Sequence, residues 1–108
     1  MPAASVQITR YVDDHFPGFV ECVLADALGA THTFVEKVPV VSSDSLSAAS
    51  TYPCDGEIQC EVCREWQDAA GLAFSIVRIE SPWGVESTSG ETKITVSSSQ
   101  LRHSGPCA

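Results

Sequence analysis

Residues 56–79 read GEIQCEVCREWQDAAGLAFSIVRI, and the alternation of apolar and polar side chains in this stretch constrains the fold more than any other feature. Ile58, Cys60, Val62 and Trp66 hold even positions, while Asp55, Glu57, Gln59, Glu61 and Glu65 hold odd ones. A period of two belongs to a half-buried strand, because successive side chains leave opposite faces of a sheet. Arg64 breaks the apolar row, but its stem can lie on apolar surface while the guanidinium reaches water at the strand's end. Asp68-Ala69-Ala70-Gly71 then predicts a type I turn, with Asp68 capping it and Gly71 in the left-handed conformation of a following bulge. Residues 72–80 return as the second arm. No catalytic or ligand-binding motif accompanies this hairpin.

An earlier stretch repeats the layout. Gly18-Phe19-Val20-Glu21-Cys22 parallels Gly56-Glu57-Ile58-Gln59-Cys60, and Asp26-Ala27-Leu28-Gly29 parallels Asp68-Ala69-Ala70-Gly71, with Phe34 and Phe74 on the following strands. Two similar hairpins in one sheet system are expected, with Cys22 and Cys60 at matching inward positions.

The rest of the chain reads as further short strands. Residues 5–12 set Val6, Ile8 and Val12 against Gln7, Thr9 and Tyr11. Pro17-Gly18 ends that segment, since proline cannot donate to a ladder and glycine permits a sharp reversal. Residues 19–25 point Val20, Cys22 and Leu24 inward, and residues 31–41 make a third strand with Pro39 near its end. The serine-filled residues 42–55 lose periodicity and read as a long connection with one helical turn around Leu46. Beyond Ser81-Pro82-Trp83-Gly84, residues 85–88 and 91–96 make a short hairpin about Ser89-Gly90. One all-β domain is expected over residues 1–98, with a disordered tail over 99–108. Six or seven antiparallel strands with tight turns make a small barrel or a compact sandwich.

Composition narrows the function. A chain of 108 residues forms one domain able to bury roughly two-thirds of its unfolded surface. A net charge of -8, with only six Lys and Arg, opposes binding to nucleic acid or to an anionic membrane, and favours a basic partner. The N-terminus lacks the basic start and apolar core of an export signal, and no apolar run is long enough to span a bilayer. A cytoplasmic protein is therefore expected. Five cysteines, an odd number, then argue for reduced thiols; after export, Cys22 and Cys60 are the pair placed to bridge the core.

Cys60-x-x-Cys63 has the spacing of a zinc or redox pair. In a continuous strand, however, residues three apart face opposite ways, and the acidic neighbours of Cys63 disfavour a thiolate. Cys54, His103 and Cys107 are the further thiol and imidazole groups a metal would have to recruit. Asp13-Asp14-His15 groups acid with imidazole, but ahead of Pro-Gly it reads as a solvated turn. His32 shares a face with Phe34 and reads as a core-edge histidine bonded to backbone. Ser87-Thr88-Ser89-Gly90 is no nucleophile elbow. These features predict no enzyme, no cofactor and no metal site.

Two surfaces remain. Asp55, Glu57, Glu61 and Glu65 share one strand face as an acidic stripe that can dock on a basic groove. Trp83, on a rigid turn, is either an anchor for a partner or a lid on one end of the fold.

A resemblance adds context. Asp26-Ala27-Leu28-Gly29, His32-x-Phe34-x-Glu36-Lys37-x-Pro39-Val40, Tyr52-Pro53 and Pro82-Trp83-Gly84-Val85-Glu86-Ser87 resemble a group of short bacterial proteins of about this length that have no assigned activity. The resemblance implies a bacterial single-domain protein and carries over no functional residue. The expected function is a non-catalytic interaction module, in a specific version an immunity or inhibitor protein against a basic partner. The alternative is a small-ligand or metal-binding barrel with His32, Trp66 or Cys60 lining a pocket at one end. Homo-oligomerisation through an exposed strand is a third possibility.

Overall fold

The computed structural model describes residues 2–81 and 83–103, without the side chain of His103. Strand β1 (Pro2–Asp13) is the centre of the larger sheet. β2 (Phe19–Ala25), β3 (Thr31–Lys37) and β4 (Cys54–Gln59) give it the order β3-β2-β1-β4, and β8 (Leu101–His103) pairs with the start of β1. The smaller sheet runs β5 (Glu61–Gln67), β6 (Ala73–Arg78) and β7 (Lys93–Ser97) in the order β5-β6-β7. All pairings are antiparallel. The two sheets enclose one core, in which Ile8, Leu24, Phe34 and Ile58 from the first meet Val77, Ile94 and Val96 from the second, with Ile79 just after β6. They form a sandwich and do not close into a barrel.

The strand expected to run unbroken through residues 56–66 divides at Cys60. β4 belongs to the larger sheet and β5 to the smaller, so the two look-alike hairpins lie in different sheets. On the opposite side the sheets meet through single backbone bonds, Ala27 N–H to the Thr95 carbonyl at 2.9 Å and Thr88 N–H to the Thr33 carbonyl at 2.8 Å.

Bulges overturn two further expectations. In β5 the register passes from Val62↔Val77 to Arg64↔Ile76, leaving Cys63 unpaired. An extra residue in one strand reverses the inside-outside phase beyond it. Val62 therefore faces inward opposite buried Val77, but Arg64 and Trp66 turn outward. There Trp66 stacks on Phe74 with centroids 5.8 Å apart, and the Arg64 guanidinium lies 5.5 Å above its ring. In β1 the register passes from Ile8↔Cys22 to Arg10↔Glu21, so Thr9 is the extra residue. Tyr11 thereby packs against the core, and a second shift, from Tyr11↔Val20 to Asp13↔Phe19, leaves Val12 unpaired and 40% exposed, the reverse of the simple alternation.

The hairpin turns follow their sequence chemistry. Asp68 accepts Ala70 N–H and Leu72 N–H on one carboxylate oxygen at 2.9 and 3.0 Å, and Gly71 takes φ +84°. Asp26 does the same for Leu28 and Ala30 at 2.8 and 2.9 Å, and Gly29 takes φ +90°. Ser87 repeats the arrangement with its hydroxyl, accepting from Ser89 and Glu91 ahead of β7. One side-chain oxygen thus fixes each turn, and the glycine supplies the backbone conformation that an L side chain resists.

Elsewhere the boundaries shift. β3 ends at Lys37, and a helical turn, α1 (Val38–Val41), lies before the serine-rich connection, whereas none forms at Leu46. Leu46 and Tyr52 pack against the core from that connection. Residues 85–88 form no strand. Part of the expected tail is ordered: a 3-10 turn, Ser98–Gln100, leads into β8, and Gln100 donates to the Ala25 carbonyl at 2.7 Å. Residues 104–108 lie outside the described residues. No helix among the described residues is long and apolar enough to cross a membrane.

Gly56 is where α1 meets β4. A Cβ there would stand 2.8 Å from both the Ile8 side chain and the Val41 carbonyl oxygen, closer than atoms can pack. Gly56→Ala should destabilise the protein by about 2 kcal/mol through overpacking; urea denaturation would measure it, with Gly29→Ala as a strained-φ comparison in open space.

Candidate functional site

β4 presents Asp55, Glu57 and Gln59 to the outside, because its alternate residues, Gly56 and Ile58, point into the core. Facing them across a groove of about 440 Å³ is the chain from Pro39 to Asp44, which α1 holds against β4. Trp83 walls the end near Gln59, where its indole N–H donates to the Gln59 side-chain oxygen at 2.8 Å. It remains 58% exposed, so it is an open wall and not a lid over the core. Arg102, carried in by β8, completes the lining. Gln7 steadies Asp55 with a 2.6 Å bond to its carboxylate. Three carboxylates, Asp44, Asp55 and Glu57, thus surround the groove against one guanidinium. At the Asp44 end their charge is felt by Cys54, whose thiol pKa is raised first by burial and then by Asp55 and Asp44. A smaller groove of about 210 Å³ adjoins on the other side of Asp55, between Ser5, Val23 and Gln100.

The expected acidic stripe is therefore only half assembled. Asp55 and Glu57 share the groove with Trp83, whereas Glu61 and Glu65 belong to the other sheet. Glu61 forms an ion pair with Arg78 at 3.2 Å. The Cys63 bulge then places Glu65 opposite buried Ser75, on the other face from Trp66. Asp44, Gln59 and Arg102 are the groove residues to which the sequence assigned no role. Asp44 lies in the aperiodic connection and Arg102 beyond the expected domain end, and neither carries a local signal.

The cysteines stay apart. Cys60 is fully buried, its sulfur 3.8 Å from the Pro2 carbonyl oxygen, while Cys63 is exposed on the bulge. Cys22, Cys54, Cys60 and Cys63 are free thiols, and Cys107 lies outside the described residues. Burial pushes the Cys22 thiol up to about 12, helped by Glu36, and that of Cys60 up to about 11. Since thiolate is the reactive form, a disulfide reagent at pH 8 should label Cys63 in the native protein and reach Cys22 and Cys60 only after unfolding, as mass mapping would show.

His32 bonds to carboxylates and not to backbone. Its Nε2 lies 2.7 Å from Asp26 Oδ2 and its Nδ1 3.2 Å from Glu91 Oε1, with the ring buried. The ring thus ties the β2–β3 turn to the turn preceding β7, and its nitrogens are not directed at a shared empty point. Among the described residues no group of three His, Cys, Asp or Glu side chains is arranged to hold a metal ion. Asp13 and His15 form a solvent-exposed turn, with His15 N–H 2.8 Å from the Asp13 carboxylate; that bond leads in lowering the Asp13 pKa.

Burial raises the Asp26 pKa, but bonds from His32, Ala30 and Leu28 outweigh it and leave a net lowering. A carboxylate depressed in the folded state stabilises above its unfolded pKa and loses that contribution as pH falls through its folded pKa. Asp26→Asn should cost about 2 kcal/mol at neutral pH, and should flatten the stability loss below the unfolded value of 3.8, in denaturation curves recorded as a function of pH.

No family model, no curated protein and no solved structure matches this chain.

Proposed function

We propose that the chain is a non-catalytic protein-interaction module that docks a basic partner in the groove along β4. The observation that carries the reading is the convergence of Asp44, Asp55 and Glu57 with the half-exposed indole of Trp83 on one concave surface. An aromatic wall beside desolvatable carboxylates suits a lysine or arginine side chain, which packs its stem on the ring and its charge on the acids. The chain's net charge of -8 draws a cationic partner toward that surface and repels an anionic one. A protein inhibitor of a basic enzyme, or an immunity protein against a basic toxin, is the biological setting such a surface fits.

Neither groove is lined by His32, Trp66 or Cys60, the residues a ligand-binding barrel would use. The interaction reading therefore rests on β4 and the Trp83 turn, and no longer on Glu61 or Glu65.

The test is a partner captured from the source cell, purified, and titrated against variants by calorimetry. Asp55→Lys with Glu57→Lys should weaken binding by about a hundredfold at low salt, and raised salt should weaken the wild-type complex. Glu61→Lys with Glu65→Lys should leave affinity within about threefold. Equal loss from the two pairs would place the contact elsewhere.

A further inference from the structure

Resting on that reading of the groove, we propose that the partner enters as an extended segment and adds a strand to the open edge of β4, its basic side chains alternating over Asp55 and Glu57.

The phase of β4 sets up this edge. Cys60 N–H donates to the Pro2 carbonyl at 3.0 Å, in the same register that pairs Ile58 with Ala4 and Gly56 with Val6. In an antiparallel ladder every second residue turns both its N–H and its C=O to the same neighbour. Cys54, Gly56 and Ile58 therefore face β1, and Asp55, Glu57 and Gln59 face away from it. Among the described residues the backbone groups of these three have no hydrogen-bond partner. The same three residues line the groove together with Pro39 to Asp44, the segment that α1 holds beside β4.

The other edges are less suited to pairing. β3 gives its Thr33 carbonyl to Thr88, and β7 gives its Thr95 carbonyl to Ala27. β5 is open, but the Cys63 bulge interrupts its ladder. β4 combines a regular register of six pairs with a lined trough.

Charge selects the occupant. A second copy of this edge, paired antiparallel, would set Asp55 and Glu57 against the same carboxylates, and like charges directly opposite are destabilising. Residues opposite Asp55 and Glu57 on an added strand share their face, so a segment with lysine or arginine at every second position matches both acids. Backbone bonds would hold such a segment and the side-chain pairs would choose it.

The experiment titrates the full chain, ¹⁵N-labelled, with a short blocked peptide alternating lysine and threonine. A second peptide of the same composition groups the lysines together, and a third is N-methylated on the amides that would face β4. The alternating peptide should slow hydrogen exchange at the amides of Asp55, Glu57 and Gln59, and N-methylation should weaken binding by about tenfold or more. Equal binding of the methylated peptide, or no exchange protection, would overturn strand addition while leaving the acidic groove as a docking site. No binding of the alternating peptide at millimolar concentration would also overturn it, and the partner titration with the Asp55 and Glu57 variants then decides the broader reading separately. A chain that sediments as a dimer, with these three amides protected before peptide is added, would assign the edge to self-pairing and overturn the proposal.

Discussion

Everything in this molecule depends on one run of chain belonging to two sheets. β4 and β5 are consecutive, yet one completes the larger sheet and the other opens the smaller, with Cys60 at the crossing. A small side chain buried between the layers lets the backbone pass from one to the other without leaving a void. Because the crossing fixes where the sheets lie, it also decides which residues of the alternating stretch remain neighbours. Asp55 and Glu57 stay with the α1 side of the fold, and Glu61 and Glu65 leave with the second sheet.

Packing and local chemistry divide the work of holding this arrangement. Each fully buried aliphatic or aromatic side chain, such as Phe34, Ile8 or Val77, contributes about 1.5–3 kcal/mol, while each turn hydrogen bond contributes about 1 kcal/mol. The core therefore supplies most of the stability, and the turns mainly select the pairing. His32 joins the two roles, since it is buried with the core and bonds two turn carboxylates that lie far apart in sequence. The groove draws on both as well: α1 packs on Gly56 from below, and the Trp83 turn reaches Gln59 from the side.

Much of the fold was legible because its signals are local. The all-β class, the strands through Phe19–Ala25 and Ala73–Arg78, and the turns begun by Asp26 and Asp68 follow from alternation and turn chemistry alone. What the pattern hid was non-local. A bulge leaves no mark except a break in period, so simple alternation gives Tyr11 and Val12 the wrong phase and puts Trp66 inside. β8 forms only because β1 offers backbone partners to a polar segment with no periodicity of its own. Half of the candidate site was visible as Asp55, Glu57 and Trp83. Asp44, Gln59 and Arg102 joined it through tertiary placement, and Glu61 and Glu65 left it for the same reason.

The bulges at Thr9 and Cys63 carry a consequence for how such a chain tolerates change. Each acts as a point where the inside-outside frame of a strand restarts, so the residues on either side are not bound to one common phase. Loss of the extra residue leaves the pairs on either side in place, and the core contributed by Ile8 or Val62 keeps its position. The frame is most exacting where no restart is available, along the regular β4, and there the acidic face and the buried face are committed together.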